Sequence, residues 1–161
     1  MSFVTEWSTA DQKRLVIFTP EVLRIFGNYR QTVFCQPEAG GILLGHRRGK
    51  HLEVVLATEP TQEDKCSAFS FIREAAGHAE LAKSAWLQGG KAIDYLGEWH
   101  THPQTTPIPS TIDRREWNKL VQVHPTKSPF LVIVVGTKAM HVELVGSQPN
   151  QALTPIGTNH T

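Results

Sequence analysis

One short segment of the chain carries side chains that can bind a metal ion. His100 and His102 are two residues apart, with Thr101 between them. In an extended strand, residues two apart project to the same face, so both imidazoles can reach one ion while Thr101 points the other way. Pro103 follows at once, which predicts that the strand ends there and that the histidines lie where the sheet opens to solvent.

A third ligand follows on a predicted helix. Ser110 is a favourable N-cap residue, and Asp113 then occupies the third helical position. The exposed N–H groups of a first helical turn favour an anionic side chain. Two imidazoles and one carboxylate leave the fourth tetrahedral position of Zn²⁺ for a water molecule, which is typical of a catalytic zinc site. The chemistry also needs a carboxylate close to that water to take its proton.

Each part of this pattern also has a purely structural interpretation. A His-x-His pair on a polar strand face often binds nothing, and Ser110 with Asp113 has the spacing of a helix-capping box. Three rival metal families are excluded. The helix motif His-Glu-x-x-His is absent, and neither Cys35 nor Cys66 lies in the zinc-deaminase motif. The 161 residues are also too few for a barrel hydrolase that begins with His-x-His.

Composition places the chain among ordinary globular proteins. Its 161 residues are 40% hydrophobic and 19% charged, which suits one domain with one core. The formal net charge of +1 offers no electrostatic basis for binding nucleic acid or an anionic membrane, and we expect neither partner. A basic cluster at residues 46–51 is either a solvated hairpin tip or a contact surface for an acidic partner.

The predicted location is the cytoplasm. Residues 1–6 lack the basic and apolar regions of a signal peptide, and no apolar run approaches the ~20 residues that span a bilayer. Cys35 and Cys66 form neither a disulfide framework nor a C-x-x-C pair, so we expect reduced thiols.

The elements that must position these residues interleave strands with helices. Apolar and β-branched runs predict strands at 13–18, 42–45, 52–57, 94–99, 130–135 and 139–145, with an exposed-edge strand near 66–71. Helical patterns and caps predict helices from Pro20 to about residue 31, at 74–88 and at 110–123. A mixed, partly antiparallel sheet with helices on its faces is the economical α/β architecture. We expect a single domain at 1–146 and a polar tail at 147–161.

Taken together, the motifs resemble the signature of the JAMM, or MPN-plus, metalloproteases. That signature combines an upstream glutamate, a His-Ser/Thr-His-Pro run and a Pro-Ser-x-x-Asp run, which correspond here to Glu38, 100–103 and 109–113. The resemblance implies a three-layer α-β-α fold of the JAB/MPN type, which is cytidine-deaminase-like, around a mixed central sheet.

The resemblance also assigns roles to individual residues. It implies that one catalytic Zn²⁺ is held by His100, His102 and Asp113, with a bound water molecule. It implies that Glu38 is the general acid and base and that the Ser110 hydroxyl helps to hold the oxyanion. On this assignment, the oxyanion role and helix capping could compete for the same hydroxyl.

Spacing alone does not single out the glutamate. Without the resemblance, Glu6, Glu21 and Glu53 are equal candidates for the catalytic carboxylate. Local sequence supports Glu38, because the small residues 39–41 follow it and lead into an apolar strand that can hold a carboxylate rigidly.

Within that family, the chain is most similar to small bacterial members. The stretches 69–73 and 97–103 resemble the deconjugating proteases found beside cGAS-like nucleotidyltransferases (CD-NTases) in CBASS anti-phage operons. This implies a protein substrate that enters by its carboxyl-terminal tail, namely a ubiquitin-like protein or a CD-NTase conjugate. We expect the tail to add as a strand along an exposed edge, for which Ala68 to Ile72 is the candidate. Three alternatives stay open: a non-catalytic MPN-type scaffold, a peptidase that processes a sulfur-carrier protein, and a hydrolase of small molecules.

Overall fold

The computed structural model describes residues 3–61, 65–66, 71–72, 75–88, 92–124 and 127–156. Within these residues lie ten strands and three helices. Their order is β1 (Glu6–Thr9), β2 (Leu15–Phe18), α1 (Pro20–Asn28), β3 (Gly40–Arg48), β4 (His51–Ala57), β5 (Lys65–Cys66), β6 (Phe71–Ile72), α2 (Ala75–Gln88), β7 (Asp94–Thr101), α3 (Thr111–Val123), β8 (Phe130–Val135), β9 (Met140–Val145) and β10 (Gln151–Pro155).

Eight strands close into a barrel in the order β1-β10-β9-β8-β7-β3-β4-β2, and β5 with β6 forms a separate two-stranded sheet. Most neighbours are antiparallel, whereas β2 with β4 and β7 with β8 are parallel. A mixed, partly antiparallel sheet with three helices confirms the α/β prediction. The sequence did not indicate that the sheet closes on itself, and the three-layer arrangement stays a prediction.

Strand β8 is buried on both faces, which explains its continuous apolar run. In β8, the odd-numbered residues from Leu131 to Val135 pack into the core cluster that includes α1. The even-numbered residues from Phe130 to Val134 pack against Trp117 of α3. The α1 side of the sheet and the α3 side are therefore two distinct environments, and His100 contacts Trp117 on the α3 side.

Strand β7 contains a bulge before the two histidines. Its pairing with β3 passes over Leu96, which lies between the paired residues Tyr95 and Gly97. Leu96 and Trp99 both pack into the α1-side core although they are three residues apart, which a regular strand does not allow. Gly97 has a φ of +154°, and a Cβ there would lie 1.7 Å from a backbone oxygen of β8. The bulge therefore requires glycine at this position.

Strands β1 and β10 were not predicted, and β10 occupies Gln151–Pro155 of the predicted polar tail at 147–161, of which residues 157–161 lie outside the described residues. The two strands pair with each other, Trp7 opposite Pro155, and so complete the barrel. Leu153 is buried, whereas its neighbours in β10 are exposed or half-buried. A five-residue strand with one buried side chain has too weak a hydrophobic pattern to be distinguished from a tail.

The basic cluster at 46–51 is largely held by the rest of the chain. Its contacts pair His46 with the Ala92 carbonyl, Arg47 with the Tyr95 carbonyl, Arg48 with the Glu53 carboxylate and His51 with the Leu15 N–H. These contacts favour the interpretation as a hairpin tip over a surface for an acidic partner.

One further prediction falls partly outside the described residues. Phe71–Ile72 pairs with Lys65–Cys66, but residues 67–70, which include most of the proposed docking edge from Ala68 to Ile72, are not described.

Among the described helices, none has the length and apolar character needed to cross a bilayer. Cys35 is a free, exposed thiol.

Candidate metal and catalytic site

Strand β7 brings both histidines to one face, as their spacing predicts. The parallel pairing with β8 continues past the end of the strand, where the His102 N–H donates to the Val135 carbonyl at 2.9 Å. The Nε2 atoms of His100 and His102 lie 3.2 Å apart. Thr101 is completely buried on the opposite face. Both imidazoles are therefore held by backbone pairing within the barrel.

Helix α3 carries the third group on its first turn. The Ser110 Oγ accepts from the Asp113 N–H at 3.1 Å, and Asp113 Oδ2 accepts from the Ser110 N–H at 2.6 Å, which completes a capping box. The structural interpretation of this pair is therefore correct, but it does not exclude a ligand role. Asp113 Oδ1 lies 3.1 Å from His100 Nε2, and Oδ2 lies 3.3 Å from His102 Nε2.

The three groups lie close enough together to hold one zinc ion. Bonds of ~2.0–2.1 Å place neighbouring ligand atoms about 3.3 Å apart in a tetrahedron. His100 Nε2 and His102 Nε2 lie 3.2 Å apart, and Asp113 presents a different oxygen to each: Oδ1 lies 3.1 Å from His100 Nε2 and Oδ2 lies 3.3 Å from His102 Nε2. Among the described residues, these form the one group of three potential ligands that each offer an atom within 4.8 Å of the others. Imidazole nitrogen and carboxylate oxygen are also donors that zinc prefers, so the set can hold one Zn²⁺ with one position left over.

The charges of the site favour a cation. Burial alone would raise the pKa of Asp113, but hydrogen bonds from both histidines and from the Ser110 N–H outweigh it and hold that pKa far below its usual range. Burial alone would lower the pKa of His102, but Asp113 and then Glu38 outweigh it and raise that pKa. The carboxylates of Asp113 and Glu38 thus stabilise positive charge between them, and a divalent metal ion can supply that charge.

Glu38 lies beside this cluster, just before β3, and is 7% exposed. Gly40 pairs with His100 in the antiparallel β3–β7 ladder, and this register carries Glu38 toward His102. Burial raises the pKa of Glu38; the two histidines oppose the shift and Asp113 adds to it. A carboxyl with a raised pKa suits a group that must accept a proton and then donate it.

The other glutamates lie elsewhere. Glu6 and Glu21 are exposed on β1 and α1, and Glu53 binds Arg48 at 2.8 Å. The structure therefore brings only Glu38, of the four candidates, among the three potential ligands.

The Ser110 hydroxyl can serve two purposes at once. In the capping box it acts only as an acceptor, and a hydroxyl has one donor as well as two acceptor positions. Its proton is therefore available to an oxyanion while the cap stays intact. The capping geometry by itself therefore does not require the two roles to compete for the hydroxyl.

Gln104 is a site residue that the sequence did not reveal. Its Oε1 accepts from the Ile108 N–H at 2.9 Å and lies 3.4 Å from His102 Nδ1. Because the Ile108 N–H requires oxygen at that position, His102 Nδ1 must be the donor toward it, which leaves the Nε2 lone pair for a metal. An exposed glutamine after a proline has no sequence signal for this role.

The matching family model defines the class of protein. A model described as prokaryotic homologs of the JAB domain matches residues 29–146, which include Glu38, His100, His102 and Asp113. The match covers well over half of the chain, and the chain belongs to this JAB-domain family.

The similar proteins within that class share one name. A CD-NTase/cGAS isopeptidase of Pseudomonas aeruginosa is 38% identical over 157 residues, which cover 97% of this chain and 99% of that protein. Proteins of the same name from Escherichia coli and Vibrio cholerae are 37% and 34% identical, over 76% and 77% of this chain and 77% and 78% of their own lengths. The resemblance to CBASS-associated JAB proteases is thereby confirmed.

A solved structure supports the fold. Protein DSY2949 of Desulfitobacterium hafniense, at 20% identity, superposes with a TM-score of 0.59 over 85% of this chain and 88% of that one.

Proposed function

We propose that this chain is a zinc-dependent isopeptidase that releases a target from the carboxyl terminus of a CD-NTase or ubiquitin-like protein, as part of cytoplasmic anti-phage defence. The observation that carries the proposal is the convergence of His100, His102 and Asp113 beside the buried carboxylate of Glu38. The relatives named CD-NTase/cGAS isopeptidase indicate the substrate class, because one of them matches almost the whole chain.

In this proposal, His100, His102 and Asp113 hold one zinc ion, which supplies Lewis acidity and a water molecule that is nucleophilic near neutral pH. Glu38 takes one proton from the attacking water and delivers it to the leaving nitrogen, which belongs to a lysine side chain or to a peptide bond. The water oxygen joins the carbonyl carbon as the C–N bond breaks. The second proton of the water then passes from the new carboxylic acid to the amine, so that the products are a tail carboxylate and a protonated amine on the target.

Ser110 stabilises the oxygen that gains negative charge during this reaction. Its hydroxyl proton is not used in the capping box, and the first turn of α3 holds the group in place. A donor fixed before the reaction needs no reorganisation when charge develops on the carbonyl oxygen.

The test is cleavage of a defined conjugate. We would join the carboxyl terminus of a CD-NTase to a lysine of a carrier protein, and follow its release and the new tail end by mass spectrometry. Wild-type protein is expected to carry zinc and to cut at that bond. Glu38→Gln should retain zinc and lose about 10²–10⁴-fold in rate, whereas Glu53→Gln should behave as wild type.

Parallel substrates separate the alternatives. A scaffold would bind the conjugate and leave it intact, which contradicts the proposal. Faster cleavage of a glycine-ended sulfur-carrier fusion would move the substrate class to carrier processing, and cleavage of small amides alone would exclude a protein substrate. Full activity of metal-free protein would refute the zinc mechanism.

A further inference from the structure

A buried hydrogen-bond network lies directly behind the two histidines. The Thr101 Oγ1 accepts from the Ala39 N–H at 2.9 Å and donates to Gln31 Oε1 at 2.9 Å. The Thr101 N–H also donates to the Ala39 carbonyl at 2.9 Å. Thr101 is completely buried and Gln31 is 4% exposed. The residue between the histidines is therefore bound to the residue that follows Glu38.

The same network also binds the chain ahead of Glu38. Gln31, three residues beyond the end of α1, donates from Nε2 to the Gln36 carbonyl at 2.8 Å. Gln36 and Ala39 lie two residues before and one residue after Glu38. The backbone on both sides of Glu38 is thus bound to Gln31 and Thr101, and through Thr101 to the strand that carries His100 and His102.

The Glu38 side chain has no comparable restraint. Among the residues that the structure describes, no hydrogen bond to its carboxylate is found, so its place depends on the backbone that carries it. A shift of about 1 Å in a reacting group is enough to cost ~10²-fold in rate. The network therefore restrains the backbone at the point where a small shift of the Glu38 carboxylate would lower the rate.

From this geometry we infer that Gln31 and Thr101 are positioning residues: they hold the Gln36–Ala39 segment so that Glu38 faces the metal ligands. The inference rests on the proposed function, because it assigns these residues a purpose in the same reaction. It separates two tasks within the site. Backbone pairing of β7 and the α3 cap place the ligands, whereas the Gln31–Thr101 network places the proton-transferring group.

A matched pair of substitutions tests the inference. Thr101→Val keeps the shape and removes the hydroxyl, which leaves the Ala39 N–H and Gln31 without that partner. Thr58→Val is the control: Thr58 is also buried, and its Oγ1 accepts from the Ile42 N–H of β3 at 2.9 Å. Each change leaves one buried N–H without its hydroxyl acceptor, that of Ala39 just before β3 or that of Ile42 within it, but only the first touches the Glu38 segment. Thr101→Ser restores the hydroxyl, and Gln31→Leu is an independent second variant.

The expected kinetics follow from the division of tasks. Thr101→Val and Gln31→Leu should lower kcat by about 10²-fold while KM and zinc affinity, measured by chelator competition, stay at wild-type values. Thr101→Ser should recover most of kcat. Thr58→Val should also lower thermal stability but keep its kcat. Equal kcat losses in the two valine variants, or loss of zinc from Thr101→Val, would overturn the inference.

A measurement without substrate keeps the two proposals apart. In protein labelled with ¹³C at glutamate carboxyls, with Glu38→Gln used for assignment, zinc should shift the Glu38 resonance in wild type and in Thr58→Val. In Thr101→Val and Gln31→Leu that shift should be much smaller. If these shifts are observed but the wild-type protein cuts no conjugate, the proposed function is refuted and the positioning network is supported. Equal shifts in all variants would refute the network.

Discussion

The site has two halves that are built differently. The strand half consists of His100 on β7, Glu38 just before β3 and His102 just after β7, and the backbones of these two strands pair within the closed barrel. The helix half consists of Ser110 and Asp113 at the exposed start of α3. In the first half, backbone ladders and buried hydrogen bonds hold the side chains. In the second, a capping box holds them.

The helix half depends on a few side-chain anchors. Trp117 is buried against β8, and the Arg114 guanidinium pairs with the buried Glu143 carboxylate of β9 at 2.6 Å. The Arg114 guanidinium also lies 5.3 Å from the centre of the Trp117 ring. The positions of His100 and His102 therefore depend on the sheet, whereas the position of Asp113 depends on how one helix packs against the sheet. Single substitutions should therefore affect the two halves in different ways.

The largest effect should come from Asp113→Asn. An asparagine oxygen can still accept from the Ser110 N–H, so α3 should stay capped, but the anionic ligand and its charge are lost. We expect zinc affinity to fall by more than ~100-fold and cleavage to cease, with helix content unchanged by circular dichroism. Retention of zinc at full occupancy would contradict the ligand assignment.

Ser110 should separate capping from catalysis. Ser110→Ala removes both the cap acceptor and the oxyanion donor, and should cost about 1 kcal/mol of unfolding free energy and about 10²–10³-fold in kcat. Ser110→Asp restores a cap acceptor without a hydroxyl donor, so stability should recover and kcat should not. The comparison is made by chemical denaturation and by steady-state kinetics. Recovery of kcat in Ser110→Asp would exclude the oxyanion role.

Gln104→Leu should weaken metal binding through its effect on His102, in the strand half of the site. Without the Oε1 acceptor, the His102 tautomer with a free Nε2 lone pair is no longer favoured, and we expect zinc affinity to fall by about 10–100-fold. At saturating zinc, kcat should return close to the wild-type value. Gln122→Ala, on the exposed face of α3, is the control for glutamine removal. An unchanged zinc affinity would show that Gln104 does not orient the ligand.

The smallest effect concerns the anchor of the helix half at low pH. Burial alone would raise the pKa of Glu143, but hydrogen bonds from His141 and Arg114 outweigh it and lower that pKa. A lowered folded-state pKa stabilises the protein above the unfolded-state pKa, and this contribution is lost as pH falls through the folded-state value.

The stability difference between wild type and Glu143→Gln should therefore be largest at neutral pH and shrink as the pH falls below the ordinary glutamate range, in urea unfolding followed from neutral to acidic pH. Glu116→Gln, whose carboxylate pairs with Lys119 at the surface, is the control and should show little pH-dependent difference. A Glu143→Gln difference that is independent of pH would exclude the charged anchor.

Local signals in the sequence were sufficient for the elements that hold the ligands. The Ser110 cap, the His-x-His spacing and the apolar run of β8 are each set by neighbouring residues, and each is found as predicted. The short strands β1 and β10 have weak patterns, and their pairing joins residues near the two ends of the chain. Barrel closure is therefore a long-range property without a local signal.

The site shows the same limit. The three potential ligands have a recognisable spacing, but Glu38 could be chosen only through a family resemblance, because its approach depends on the register of β3 against β7. Gln31 and Gln104 were missed because their partners are backbone groups and side chains that the fold brings together. An amide that binds such partners looks like any other polar residue in the sequence.

The bulge at Leu96 also has a consequence for how β7 can change. Leu96 packs into the α1-side core, whereas Tyr95 and His100 contact residues on the α3 side, so the extra residue adds a core side chain without altering the face on which those two lie. A shorter version lacking Leu96 would regain simple alternation and still present the histidines toward α3. The face to which His100 points is thus fixed by the carboxyl end of β7. The strand can gain or lose one residue before Gly97 without turning the two histidines away from α3.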